Sequence, residues 1–132
     1  MRNWGKLFRS CGSSGLYTVG RASGFDKIGQ LAVSSGLNYI YIDLIRVIDK
    51  QDFLKILAEK LGFPVYFGMN WDALKDSLTD MPPAGGYVIV LDNIKGFAQA
   101  APGEMRSVRN IFKYTAGYWK GQAVCFYVLT RM

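Results

Sequence analysis

The sequence predicts an α/β protein in which helices pack on a parallel sheet. Three observations carry that reading. Segments 37–44 (LNYIYIDL), 87–91 (YVIVL) and 123–129 (AVCFYVL) are short and rich in β-branched and aromatic residues, as strands are. Segments 49–61 and 104–119, lying between them, repeat their apolar residues at helical spacing. The run YVIVL has no polar residue, which suits a strand covered on both faces. Strands that alternate with helices pair in parallel, because a helical crossover returns the chain to the same end of the sheet. With 132 residues, the chain has the length of one domain.

In chain order, residues 1–14 (MRNWGKLFRSCGSS) read as a short basic arm, with Trp4 and Phe8 able to dock on the body. Segment 15–20 (GLYTVG) is a short strand, expected as a fourth, edge strand of the sheet. Segment 25–34 is a helix with Phe25, Ile28, Leu31 and Ala32 on its apolar side, and Gly36 ends it. With 37–44 these make a strand–helix–strand unit, which implies a right-handed crossover and parallel pairing. In 49–61, Asp49 is the N-cap, Asp52 complements the helix dipole in the first turn, and Phe53, Leu54, Leu57, Ala58 and Leu61 form the inward stripe. Gly62 and Pro64 stop it. Asn70 caps a shorter helix over 71–80 that turns Trp71, Leu74 and Leu78 inward. A loop containing Pro82, Pro83, Gly85 and Gly86 leads to the strand 87–91, expected to pair in parallel with 37–44. The helix 104–119 buries Met105, Val108, Ile111, Phe112, Thr115 and Trp119 and sets Arg106, Arg109, Lys113 and Lys120 outward.

Composition excludes several kinds of chemistry. Half the residues are hydrophobic and 20% are charged, which is ordinary for a globular chain and too apolar for a disordered one. The longest apolar run is 123–129, far short of the ~20 residues that span a bilayer. There is no histidine, so no Ser-His-Asp triad, no Cys-His pair and no histidine-ligated metal can form. Cys11 and Cys125 are too few for a structural zinc site. They stand far apart in sequence and are expected as reduced thiols. No apolar core of a secretion signal occurs in 1–14, which supports a cytoplasmic address.

The net charge of +6 is unevenly spread. Residues 1–40 carry five basic residues against one acidic, and 93–132 carry six against one. Residues 41–92 carry eight acidic against five basic. That acidic middle centres on the helix 71–80, where Asp72, Asp76 and Asp80 recur at i, i+4 and i+8 along one side. Like charges at this spacing destabilise a helix by roughly 0.2–0.5 kcal/mol per pair. Asp80 also stands at the end of the helix that the dipole makes unfavourable for an anion. The carboxylates therefore do little for the helix itself. They make either a solvated face, partly neutralised by Lys75, or a patch for a cationic partner. Tyr66, Phe67, Gly68 and Asn70 in the preceding loop adjoin this patch. Tyrosine is common at interface hot spots, and glycine lets a partner approach the backbone. The alternative is that Tyr66 and Phe67 pack on the core and Gly68 only turns the chain.

At these residues the sequence resembles the barstar family, intracellular inhibitors of barnase-type ribonucleases. The resemblance rests on residues 64–79 (PVYFGMNWDALKDSLT): a proline, a tyrosine two residues on, a glycine, Asn-x-Asp-Ala-Leu, then an aspartate followed by a leucine. It covers about 37–132, leaving 1–36 as an N-terminal extension, and it implies a two-layer α/β fold with a parallel sheet of three strands, to which 15–20 adds a fourth. It implies a non-enzymatic inhibitor, of immunity or antitoxin type, that plugs a ribonuclease active site with the acidic helix and the loop before it. The partner-binding positions it implies are Tyr66, Gly68, Asn70, Asp72, Lys75 and Asp76. Asp76 would take the place of a substrate phosphate, Asp72 would pair with a second cation, and Tyr66 would pack on the partner's catalytic surface. Two departures narrow the acidic face: Lys75 stands where the family has a tryptophan, and Tyr114 where it has a glutamate. Lys75 is expected to influence partner choice.

The expected partner is a protein, a ribonuclease toxin, with no cofactor, no small-molecule substrate and no membrane. Other readings are a barstar-like module for a non-ribonuclease toxin and a nucleic-acid-binding module using Arg106, Arg109, Lys113, Lys120 and the basic N-terminus. Against the latter, the strands show no exposed stacking aromatics interleaved with basic residues. An enzyme using Asp72 and Asp76 as acid and base would need a site that excludes water, which one turn of a convex helix does not supply.

Overall fold

The computed structural model describes residues 2–64 and 68–132. Four strands, β1 (Gly15–Thr18), β2 (Asn38–Asp43), β3 (Tyr87–Asp92) and β4 (Phe126–Thr130), form one sheet in the order β1-β4-β3-β2, every pair parallel. The helices are α1 (Trp4–Leu7), α2 (Phe25–Ser34), α3 (Lys50–Leu61), α4 (Trp71–Thr79), α5 (Lys95–Ala100) and α6 (Pro102–Gly121). In register, Asn38 lies opposite Tyr87, Tyr87 opposite Phe126, and Gly15 opposite Tyr127.

The expected pairing of β2 with β3 and the edge position of β1 are both present. The strand–helix–strand unit of 15–44 is rearranged, however, because β1 and β2 occupy opposite edges and α2 crosses behind β4 and β3. Burial explains the order. Every residue of β3 and β4 is buried, so each needs a neighbour on both sides, whereas β1 and β2 are partly exposed and tolerate an edge.

One face of the sheet carries Ile42, Ile89, Leu91, Phe126 and Val128 beneath α3, α4 and α6. Phe53, Leu54 and Leu57 of α3, Leu74 and Leu78 of α4, and Met105, Val108 and Phe112 of α6 fill that layer. The cap of α3 is as the sequence indicates: the Asp49 side chain accepts the Asp52 N–H at 2.9 Å, and Gly62 closes the helix at φ 69°. Two helices were not legible in the sequence. α1 is a single turn within the supposed arm, and α5 buries only Phe97.

The two layers implied for 37–132 are joined by a thinner third. On the second face, Val88, Val90, Tyr127 and Leu129 lie under Phe8, Ile28 and Ala32, all contributed by residues before 37. Gly29 is needed there, since a Cβ on it would come 2.8 Å from the Tyr39 ring. The Tyr127 hydroxyl donates to the Ser10 carbonyl at 2.6 Å and also lies against that of Leu7.

The cysteines correct the expectation of reduced thiols: Cys11 and Cys125 form a disulfide, with Cα atoms 4.3 Å apart across 114 residues of sequence. Topology brings them together. Pairing of β1 with β4 places the segment before Gly15 beside the start of β4, where the Ser14 hydroxyl accepts the Phe126 N–H at 3.0 Å.

A charged lock sits at the C-terminal ends of β3 and β4. Asp92, 1% exposed, receives the Arg131 guanidinium in a two-pronged pair, Nε to Oδ1 and Nη2 to Oδ2, both 2.8 Å. The Tyr41 hydroxyl and the Asn93 N–H also donate to Asp92, and Arg131 reaches on to the Ser23 carbonyl and over the Phe25 ring. Burial alone would raise the Asp92 pKa, but the hydrogen bonds from Arg131, Tyr41 and Asn93 outweigh it and hold the carboxyl below its ordinary value. The folded state therefore binds this proton less readily than the unfolded one. The stability gained is fully present above the unfolded carboxylate value of about 3.9 and is lost as pH falls through the lowered folded value. Asp92→Asn is expected to flatten the acid limb of the stability–pH curve and to lower stability at neutral pH. Urea melts of the variant and the unmodified protein between pH 2 and 7 measure both effects, and parallel curves would exclude the lock.

Candidate partner-binding site

α4 owes its helicity and position to residues that the core and α6 hold from below. Leu74 and Leu78 are buried in the main core. At the N-terminal end, Trp71 sits edge-on to Phe53 and donates its indole N–H to Glu104 on α6 at 2.7 Å. At the other end, the Trp119 indole N–H donates to the Leu78 carbonyl at 3.0 Å. Two tryptophans, one on each helix, thus tie α4 to α6 at both ends. Such anchoring sets the outer face of α4 as a rigid surface, so a partner meets it already ordered and loses less side-chain and backbone entropy on binding.

Asn70 is the N-cap in fact. Its Oδ1 accepts the Ala73 N–H at 2.7 Å and its Nδ2 donates to the Gly68 carbonyl at 3.2 Å. Met69 between them has φ 51°, a left-handed conformation uncommon for a side chain of this kind. Gly68 is exposed, and a Cβ on it would press on Ala73 and Asn70 at 3.3 and 3.4 Å. The loop before the helix is thus shaped by Asn70 from one side. Tyr66 lies outside the described residues. Asn70→Ala removes both bonds. It is expected to cost about 0.5–2 kcal/mol of stability and to show fraying at Trp71–Ala73 by amide hydrogen exchange. Unchanged exchange at these amides would mean that the cap is not holding the helix end.

The carboxylates of Asp72, Asp76 and Asp80 are all exposed. Asp76 lies on the outermost line of α4, opposite Leu74, at about 100° of helical turn per residue. Among the described residues the ion pair within 4 Å is Arg131–Asp92, so none of these three carboxylates is paired. Among the described residues, Lys75 makes no ion pair with them and acts on this face only through space. Its ammonium lies 4.5 Å from the centre of the Tyr114 ring. This contact links the two positions at which the sequence departs from the pattern it resembles, and no local pattern could have joined residues on different helices. Glu104, as the partner of Trp71, was missed for the same reason.

Of the six sequence-predicted positions, Gly68, Asn70, Asp72, Lys75 and Asp76 belong to one continuous surface of α4 and the turn before it. No group of three Cys, Asp or Glu residues comes together to hold a metal among the described residues. No helix there is long and apolar enough to cross a membrane. The arrangement offers uncompensated negative charge on a rigid convex helix, suited to contacting cations on another macromolecule.

Residues 37–131 match the family model described as Barstar (barnase inhibitor). No curated protein matches the chain.

Proposed function

The chain belongs to the barstar family, and on that premise we propose that it blocks a ribonuclease by placing α4 and the loop before it over the enzyme's cationic active site. Family membership supports a ribonuclease as the partner and an inhibitor in place of an enzyme. The observation that carries the finer reading is the row of exposed, unpaired carboxylates on a helix held at both ends. Asp76 at its crest would face the partner's phosphate-binding cations, Asp72 would pair with a second cation, and Tyr66 would pack on the partner's catalytic surface. A carboxylate there does by charge what a substrate phosphate does, and it offers no bond to cleave. In this reading residues 37–132 are the inhibitory unit and 1–36 an extension that completes the second face of its sheet.

The role is that of an immunity or antitoxin protein, and its place is the cytoplasm, where the RNA to be protected is. Disulfides are uncommon in that compartment. The state of Cys11 and Cys125 in freshly lysed cells, alkylated at once and weighed by mass spectrometry, therefore tests the address. A reduced pair supports it, and a fully bridged pair points to an oxidising compartment.

The function itself is tested by titrating the protein into barnase and related ribonucleases cleaving a fluorogenic RNA. Inhibition that saturates at one inhibitor per enzyme is the expected result. Failure to inhibit any of them, or cleavage of the probe by the chain alone with loss in Asp72→Ala and Asp76→Ala, overturns the reading.

A further inference from the structure

Between α4 and α6 runs a groove of about 310 Å³ lined by Trp71, Asp72 and Lys75 of α4 and by Ser107, Asn110, Ile111 and Tyr114 of α6. Lys75 is half-buried in it. Its ammonium has the Tyr114 ring face on one side and, among the described residues, neither a hydrogen-bond acceptor nor an ion-pair partner. A cation–π contact engages one side of the ammonium and leaves its N–H donors to solvent, which a carboxylate can displace. Asn110 and Tyr114 add neutral donors along the same groove, while the Ser107 hydroxyl donates to the Gly103 carbonyl at 3.5 Å. On the outer slope of α6, beyond Asn110, Arg106 and Lys113 are exposed and make no ion pair among the described residues. Ordered across the surface, the charges run from negative on the crest of α4 to positive on α6.

We infer that this groove is an acid-accepting subsite: it takes an aspartate or glutamate side chain that the partner ribonuclease presents beside its cationic active site. The inference rests on the proposed docking of a ribonuclease on α4 and names the chemistry of that partner. One protein surface must then be complementary to both halves, basic where it meets Asp72 and Asp76 and acidic where it meets Lys75. A ribonuclease that is basic throughout its rim is repelled at Lys75, Arg106 and Lys113, so the same groove excludes the wrong partner while it fixes the register of the right one. It also accounts for how a chain of net charge +6 can recognise a cationic site. Beyond roughly 8 Å charges are screened at physiological salt, so the local pattern governs docking.

The test uses barnase and a panel of purified barnase-type ribonucleases that differ in the acidity of the rim. Lys75→Met keeps the apolar stem and removes the charge, and Lys75→Glu reverses it. Against the panel member that the unmodified protein inhibits most tightly, Lys75→Glu is expected to weaken inhibition at least tenfold and Lys75→Met severalfold. The double variant Arg106→Glu, Lys113→Glu is expected to slow association about tenfold, an effect that disappears at about 0.5 M salt. Asp76→Ala is measured alongside. If Asp76→Ala loses inhibition while Lys75→Glu inhibits as well as or better than the unmodified protein, the subsite is refuted and the docking of α4 stands. If no panel member is inhibited by any form, docking and subsite fall together. A fluorescein-labelled single-stranded RNA gives the last arm. Salt-sensitive binding to the protein alone, lost in Arg106→Glu, Lys113→Glu, would make the α6 slope a nucleic-acid surface and overturn the inference.

Discussion

Asp76→Ala is expected to raise the dissociation rate of the ribonuclease complex by orders of magnitude while leaving the melting temperature almost unchanged. The two halves of that result have separate causes. Asp76 is exposed on the line of α4 opposite the buried Leu74, it makes no ion pair among the described residues, and its loss relieves a like-charge repulsion with Asp72 and Asp80. Folding therefore gains or loses only a few tenths of a kcal/mol. In the proposed complex the same carboxylate would be shut away from water against fixed cations. Truncating one member of such a pair costs about 2–5 kcal/mol or more, largely because the opposite charge is left buried without a partner; that range comes largely from barnase–barstar complexes and is borrowed here. Asp80→Ala, one turn nearer the helix end, is expected to do much less. Surface plasmon resonance and differential scanning calorimetry on the same preparations read the two halves. Binding of Asp76→Ala as tight as that of the unmodified protein would remove α4 as the inhibitory face.

Reduction of the Cys11–Cys125 bridge is expected to cost stability on the scale of truncating a large core side chain. The bridge closes a loop of 114 residues of separation. Constraining the unfolded chain over so long a loop is worth at most about 5 kcal/mol in the chain-entropy account, and native bridges typically deliver about 2–4. For a chain of this size that is a fall of roughly 10 °C in melting temperature. The bridge also ties α1 and the segment before β1 to the start of β4, over the face where Phe8 covers Tyr127. Amide exchange should rise first at α1 and β1 in the reduced protein, with β2 and β3 still protected. Calorimetry with and without dithiothreitol, and on Cys11→Ser, Cys125→Ser, measures the loss. Identical melting of oxidised and reduced protein would show that β1 pairing and the Phe8 contact alone hold the extension.

Much of the fold was readable from local pattern because its central elements are locally decided. The β3 run YVIVL is buried at every residue, as a strand without a polar face must be. Asp49 and Asn70 cap α3 and α4 through side chains three residues from their acceptors' partners, a relation contained in the sequence itself. The helix carrying Asp72 and Asp76 was legible for the same reason: its apolar residues lie on one side and its carboxylates on another.

The sequence by itself determined the order of the strands and of the helices other than α1 and α5, the caps of α3 and α4, the absence of histidine chemistry and the row of carboxylates on α4, since each depends on residue identity or on neighbours within a turn or two. Only the tertiary structure decided the rest. It set β1 beside β4 in place of β2, because two fully buried strands must take the centre of the sheet. That choice in turn carried Cys11 to Cys125 and spread residues 2–36 over the second face. It also brought Lys75 against the ring of Tyr114. Contacts between residues 39 or 114 positions apart carry no local signature; their energy exists only once packing has brought the two surfaces together and removed the water between them.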